Sequence, residues 1–65
     1  MVTVTVEIDG EEHSAEISQE TYEILRDGSI LRNRPLQEYL RRIVQEYGEL
    51  TETTLLKFIH EKWVI

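Results

Sequence analysis

Side chains of the kinds that catalyse reactions are few in this sequence and are widely spaced. Histidine occurs only as His13 and His60, and neither belongs to an HxxxH pattern that would hold a metal ion. Ser14, Ser18 and Ser29 lack the glycine-flanked turn that exposes a nucleophilic serine. A chain of 65 residues can hardly enclose the roughly 300 Å³ that a small-molecule pocket needs. The expectation is therefore a protein that is not an enzyme and binds no metal, cofactor or small molecule.

Carboxylates are the one kind of reactive group that the sequence concentrates. The chain carries a net charge of −6, and residues 1–28 hold eight acidic side chains against one basic side chain, Arg26. An acidic surface repels phosphate and attracts basic surfaces. The same charges also suit a plain solvated surface. Six residues form the candidate partner-binding set, five carboxylates and one aromatic: Glu7, Asp9, Glu11, Glu12, Glu16 and Trp63.

A β-hairpin is expected to carry most of these carboxylates. Residues 2–8 alternate between β-branched apolar and polar side chains, and residues 11–17 alternate again. Between them, Asp9-Gly10 is the sequence that a two-residue hairpin turn favours, because both positions need a positive φ. The alternation directs one set of side chains towards a core: Val2, Val4, Val6, Ile8, His13, Ala15 and Ile17.

The turn also sets the expected strand register. Val2 then pairs with Ile17, and Glu7 lies opposite Glu12, so two like charges meet on the outer face. His13 falls on the inward face. Its favoured interpretation is a histidine near an open end of the sheet with one nitrogen bonded, and the alternative is a pH-sensitive residue at an interface.

Three helices are predicted to follow the hairpin, at about 19–32, 35–47 and 52–63. Ser18 and Thr51 are suitable N-caps for the first and third helices. The residues expected on their apolar sides share a helical spacing. They are Tyr22, Ile24, Leu25 and Leu31, then Leu36, Tyr39, Leu40, Ile43, Val44 and Tyr47, then Leu55, Leu56, Phe58, Ile59 and Trp63.

Breaks between the helices are expected where the backbone can turn left-handed. Asn33 tolerates that conformation and should end the first helix, which is then continuous through Gly28; the alternative is an earlier end at Asp27-Gly28. Pro35 suits the first turn of the second helix, and Gly48 should end it. Aromatic residues at this spacing usually lie in the core, so Tyr39, Tyr47 and Phe58 are expected there, whereas Trp63 is the better candidate for an interface.

The fold class expected from these elements is α+β, in one small domain that spans residues 1–65. A chain of this length buries only about 60% of its unfolded surface, and it has no cysteine to form disulfides. Self-association is the remaining source of stability, so a homodimer is predicted. The sequence shows neither a signal peptide nor an apolar stretch of membrane-spanning length, which predicts a soluble cytoplasmic protein without membrane contacts.

The segment from Glu12 to Tyr47 resembles the ribbon-helix-helix family of small dimeric DNA-binding regulators. The resemblance implies that residues 12–17 form the ribbon, that Ser18 caps the first helix, and that Asn33 stands where a glycine is usual. It also implies that the start of the second helix contacts DNA phosphates. The groove-reading positions would be Glu12, Ser14 and Glu16, where the family favours basic or amide side chains.

Residues 40–59 resemble a helix-turn-helix, with Gly48 in the turn and Thr51 as the cap of the recognition helix. The face that would read DNA is not basic, and it consists of Glu52, Thr53, Lys57, His60 and Glu61. Two antiparallel helices joined by a short capped loop give the same pattern and are favoured here.

The leading functional hypothesis is a small acidic regulatory or inhibitory protein that acts by protein–protein contact. The outer face of the hairpin would engage a basic surface and could act as a DNA mimic, as in a phage or plasmid accessory protein. The alternative is a ribbon-helix-helix-like or helix-turn-helix-like transcriptional regulator or antitoxin. Its phosphate contacts would be four arginines, namely Arg32, Arg34, Arg41 and Arg42. A third class is a structural or designed domain with no ligand.

Overall fold

A computed structural model describes residues 1–63, and it confirms the α+β class: an N-terminal hairpin is followed by three helices. The strands are β1 (Val2–Ile8) and β2 (Glu11–Ile17), and the helices are α1 (Gln19–Leu31), α2 (Leu36–Tyr47) and α3 (Glu52–Phe58). A π-helical turn, Ile59–Trp63, continues α3. Within residues 1–63, no helix has both the length and the apolar character needed to cross a membrane.

The hairpin has the register expected from its turn. Asp9 and Gly10 have φ angles of 52° and 81°, as a two-residue turn of this kind requires. Val2 pairs with Ile17, and Glu7 pairs with Glu12. Because side chains alternate across a strand, this register sends the apolar residues of both strands to the same side.

Helix α1 begins at its expected cap and runs without a break through Gly28. The Ser18 side chain accepts a hydrogen bond from the Thr21 backbone N–H at 3.2 Å. The helix ends at Leu31, one residue before the expected end, and Asn33 follows with a φ of 56°. Asn33 therefore makes the left-handed break that the sequence predicts.

The other two helices also use local caps. Pro35 is the N-cap of α2, one residue before the helix begins, and Gly48 ends it with a φ of 82°. Thr51 and Thr54 form a capping box at the start of α3, in which each side chain accepts a hydrogen bond from the other residue's backbone N–H. The predicted third helix is thus present to Trp63, but its last turn is π-helical.

The core lies between the inner face of the hairpin and the three helices. Tyr39 and Phe58 are buried there as expected, with ring centres 6.0 Å apart, whereas Tyr47 is only partly buried at the side of the core. The buried apolar residues of the described chain are Val4, Val6, Ile17, Leu25, Tyr39, Leu40, Ile43, Leu50, Leu55, Phe58 and Ile59.

Three residues expected on the apolar sides of helices are exposed instead. Ile24 is 48% exposed, Leu31 is 83% exposed and Leu56 is 46% exposed. Helix α1 buries only a narrow stripe of mostly small side chains, so Ile24 and Leu31 lie on its flanks. On α3 the adjacent Leu55 takes the inward position, and the 100° step of a helix turns Leu56 away from the core.

Candidate functional site: the acidic face of the hairpin

The side of the hairpin that faces away from the helices is fully exposed. We call it the outer hairpin face. Side chains alternate between the two faces of a strand, so the residues between the inward-facing ones point to this outer side. It consists of Thr3, Thr5 and Glu7 of β1 and Glu12, Ser14 and Glu16 of β2. Asp9 and Glu11 are also exposed, at the turn that ends this face.

Glu7 and Glu12 lie directly opposite each other on this face. Opposed side chains of neighbouring antiparallel strands have Cβ atoms about 4.5–5.5 Å apart, and like charges at that position are destabilising. Within residues 1–63, neither carboxylate has an ion-pair partner, and neither does Glu16. The outer hairpin face is therefore a site of negative charge that the described chain does not neutralise.

The cations of the protein lie elsewhere. No lysine or arginine occurs before Arg26, so the hairpin contains none. On the helices, Arg34 pairs with Glu38 at 3.2 Å, and Lys62 pairs with Glu46 at 3.2 Å. Glu38 and Glu46 thus have cationic partners, which Glu7, Glu12 and Glu16 lack among residues 1–63.

At the turn, His13 and Glu11 interact on the inward side of β2. The His13 Nε2 atom lies 3.0 Å from Glu11 Oε1, and the imidazole is 22% exposed. This geometry fits the favoured interpretation, a half-buried histidine with one nitrogen bonded. The pair is ionic only when His13 is protonated.

The four arginines of the DNA-binding hypothesis do not form one free cluster. Arg32 donates a hydrogen bond to the Gly28 carbonyl at 3.1 Å, and its guanidinium carbon lies 4.4 Å from the centre of the Trp63 ring. Arg34 is paired with Glu38. Of the four, only the two exposed arginines of α2, at positions 41 and 42, have no side-chain hydrogen bond, ion pair or aromatic partner among residues 1–63.

Trp63 packs within its own chain. Its ring meets Tyr39 edge-on, with centres 5.0 Å apart, and meets Phe58 at 5.8 Å. The ring is half-buried and lies against Gly28 of α1. Its role at an interface with a partner stays a prediction, since these contacts within the chain leave only part of the ring exposed.

Glu52 is a structurally important residue that sequence reasoning missed. Its Oε2 atom accepts hydrogen bonds from the Ser18 backbone N–H at 2.8 Å and from the Thr21 hydroxyl at 3.0 Å. The Ser18 bond is the main reason that the pKa of Glu52 lies below its usual value. Glu52 therefore ties the start of α3 to the start of α1, instead of facing outwards as a helix-turn-helix would use it.

A second carboxylate–hydroxyl pair joins α2 to the end of the chain. The Tyr47 hydroxyl donates a hydrogen bond to Glu61 Oε1 at 2.6 Å. This bond, with some desolvation and the negative charges of Glu61 and Glu46, raises the pKa of Tyr47 to about 12. No sequence pattern links these residues.

An open depression of ≈ 550 Å³ with mostly apolar walls lies along α3 and the π-helical turn that follows it. It is lined by Thr53, Leu56, Lys57, Ile59 and His60. Within residues 1–63, no three histidine, aspartate or glutamate side chains are grouped closely enough to hold a metal ion. The mostly apolar walls of the depression offer a hydrophobic contact.

The geometry brings Glu7, Glu12 and Glu16 to one exposed face, with Asp9 at its end. Glu11 lies on the inward side of β2 beside His13, and Trp63 packs on the helices instead. Comparisons with protein-family models, with curated proteins and with solved structures found no match to this chain.

Proposed function

We propose that this protein is a small regulatory or inhibitory protein whose outer hairpin face binds a basic surface of another protein. The observation that carries the proposal is the opposed pair Glu7–Glu12, which with Glu16 forms a group of carboxylates without cations among residues 1–63. A lysine or arginine of a partner set between the two opposed carboxylates would relieve their repulsion. The free energy of binding then becomes more favourable for two reasons: the new attraction between opposite charges, and the reduced repulsion between the two carboxylates.

The rigidity of the hairpin supports the same proposal. The inward side chains of both strands are anchored in the core, for example Val6 and Ile17 at 2% and 0% exposure. The carboxylates therefore stand on a preformed platform, and little conformational entropy is lost when a partner binds.

A partner that normally binds nucleic acid suits this face best. DNA-binding proteins carry lysine and arginine side chains at the spacing of closely placed phosphates. Carboxylates on adjacent strands offer those side chains an alternative set of anions. The protein would then act as a DNA mimic, and its overall charge of −6 would speed association with such a surface.

Charge reversal with a matched control tests the proposal. In the double variant Glu12→Lys with Glu16→Lys, the net charge rises by four and the outer hairpin face is altered. The control, Glu23→Lys with Glu49→Lys, has the same change in charge at two exposed sites away from the hairpin. A random peptide-display library is selected against the unaltered protein, and the enriched peptides are assayed against both variants.

Peptides rich in lysine and arginine are expected to be enriched, to bind the control variant and to fail to bind the hairpin variant. Far-UV circular dichroism verifies that both variants are folded. Enrichment of neutral or acidic peptides, or equal loss of binding in both variants, would reject the outer hairpin face as the site.

A second candidate function is DNA binding, and the observation that favours it is the exposed pair Arg41 and Arg42 on α2. Against it, a ribbon-helix-helix protein would present Glu12 and Glu16 to the phosphates, which repel them. The test is the fluorescence anisotropy of a labelled random DNA duplex at low and at physiological salt. Salt-sensitive binding that is lost in Arg41→Ala with Arg42→Ala would support this candidate, and no binding at low salt would remove it.

A further inference from the structure

The backbone of a two-stranded hairpin has two outer edges, and the register decides which residues form them. Ile8 and Glu11 flank a two-residue turn, so they are a hydrogen-bonded pair. Hydrogen-bonded and non-hydrogen-bonded pairs then alternate along the ladder. The non-hydrogen-bonded pairs are Glu7–Glu12, Thr5–Ser14 and Thr3–Glu16. The backbone N–H and C=O groups of these six residues point away from the other strand. Each edge therefore has three residues with outward backbone groups.

The two edges differ in whether their outward backbone groups have hydrogen-bond partners. On the β1 edge, the side chain of Gln37 from α2 donates a hydrogen bond to the outward carbonyl of Thr5 at 3.0 Å. On the β2 edge, the outward groups of Glu12, Ser14 and Glu16 have no hydrogen-bond partner among residues 1–63, and all three residues are exposed. An open edge of this kind is a template for another strand.

We propose that the β2 edge takes an antiparallel strand from a basic partner protein, so that binding adds a third strand to the hairpin. This inference rests on the proposed function and specifies its binding mode. The backbone groups of Glu12, Ser14 and Glu16 supply hydrogen bonds, and the glutamate side chains select a strand that carries lysine or arginine at alternate positions.

The same charges disfavour a second copy of this chain as the occupant. An antiparallel pairing of two copies that uses all three residues is centred on Ser14, and it sets each Glu12 opposite a Glu16 of the other copy. Like charges at directly opposed positions are destabilising, and charged edges are a common protection against self-pairing. A basic strand reverses the sign of those two contacts.

Backbone pairing and charge recognition are coupled by geometry. In an antiparallel ladder, residues that exchange hydrogen bonds lie directly opposite each other with side chains on the same face. The partner residues that bond to Glu12 and Glu16 are therefore the ones whose side chains lie beside these glutamates. Of the three partner residues between them, the two opposite His13 and Ala15 project to the other face, where small or β-branched side chains fit beside these half-buried residues.

This coupling allows a sharp test with three dye-labelled heptapeptides. The parent has the sequence KTKVKTK, one derivative is N-methylated at its two internal lysines, and the other is N-methylated at its two threonines. The derivatives have the same charge and composition, but only the first has lost the N–H groups that should face β2. Binding to the unaltered protein and to Glu12→Lys with Glu16→Lys is measured by anisotropy at low and at physiological salt.

We expect the parent and the threonine-methylated peptide to bind alike, and the lysine-methylated peptide to bind at least about tenfold more weakly, because two inter-strand hydrogen bonds are lost. The hairpin variant should bind none of them. Equal binding of the two methylated peptides to the unaltered protein would overturn strand addition and leave the proposed function standing. Equal binding of the parent to protein and variant, or no binding at low salt, would overturn both.

Amide hydrogen exchange gives an independent readout. With the parent peptide bound, the N–H groups of Glu12, Ser14 and Glu16 should exchange more slowly, whereas those of Thr3 and Glu7 on the β1 edge should not change. Protection on the β1 edge alone would reject the assignment of the edge. Protection of β2 that grows with protein concentration in the absence of peptide would show a second copy as the occupant and overturn the inference.

Discussion

The indole ring of Trp63 lies so close to Gly28 that a Cβ atom at that position would overlap three ring carbons. Glycine in a helix interior costs about 0.5–1 kcal/mol relative to alanine. Here it permits the π-helical turn Ile59–Trp63 to pack on α1, where the Arg32 guanidinium also lies 4.4 Å from the ring centre. The contact explains why α1 tolerates a glycine in its third turn without a break.

Gly28→Ala should therefore destabilise the protein, although alanine is the better helix former. The ring must shift, and overpacking of this kind costs about 1–3 kcal/mol, more than the gain in helix propensity. Urea unfolding measures the change. In a Trp63→Ala background the same substitution should be neutral or stabilising by about 0.5–1 kcal/mol. A stabilised Gly28→Ala single variant would contradict the packing described here.

The Glu52 carboxylate should make stability depend on acid pH. Its pKa is lowered in the folded state by the N–H of Ser18, so the unfolded chain binds more protons as the pH falls. The stabilisation is complete above the ordinary pKa of 4.5 and is lost as the pH falls through the folded-state value. Glu52→Gln should thus unfold more easily than the unaltered protein at pH 7, and the difference should shrink towards pH 3. Urea midpoints measured across this range test it, and a difference that does not vary with pH would contradict it.

The Tyr47 hydroxyl should ionise at a higher pH than an ordinary tyrosine. Because the pKa is raised from 10.0 to about 12 in the folded state, folded protein retains this proton while the unfolded chain loses it. The stabilisation is complete below pH 10 and disappears as the pH rises through about 12. Ultraviolet titration should show a tyrosine that ionises near pH 12, and Tyr47→Phe should abolish that transition. In Glu61→Gln the late ionisation should move back towards pH 10, and an unmoved titration would show that Glu61 is not the cause.

Glu12→Lys should stabilise the isolated protein. It replaces a like-charge pair with Glu7 by an opposite-charge pair, which contributes about 0.2–1 kcal/mol at a directly opposed position. The gain should fall as salt is added. Glu16→Lys is the matched control, because Thr3 lies opposite and only the net charge changes. Urea unfolding of both variants decides the matter, and equal effects would mean that net charge alone is responsible.

The predicted homodimer has a specific candidate contact. Ile30 and Leu31, at the end of α1, are 69% and 83% exposed, and adjacent apolar side chains with such exposure are a common feature of interfaces. Light scattering should give twice the chain mass of 7.7 kDa, and Leu31→Lys should return the monomer. Leu56→Lys serves as a control at a separate exposed leucine. A monomer at all concentrations would end the dimer hypothesis.

Much of the fold is determined by short-range patterns in the sequence. Alternation in residues 2–8 and 11–17, joined by Asp9-Gly10, leaves only one register in which both apolar sets face the same side. The caps and stops are equally local, since Ser18 meets a backbone N–H three residues away and Asn33 needs only its own left-handed conformation. These features depend on neighbours along the chain, so the sequence alone contains them.

Only the tertiary structure decided the contacts that join distant segments. Glu52 meets Ser18 across 34 positions, and nothing in the spacing of either helix indicates that contact. Ile24 has the type and spacing of a core residue, yet it is exposed because the stripe that α1 buries runs through Thr21, Leu25, Gly28 and Ser29. Helical periodicity identifies the apolar side of a helix. It does not identify which residue lies at the centre of the contact, because that depends on how the helices cross. The acidic outer face was thus determined by the sequence, and the open edge of β2 beside it emerged from the placement of α2 against β1.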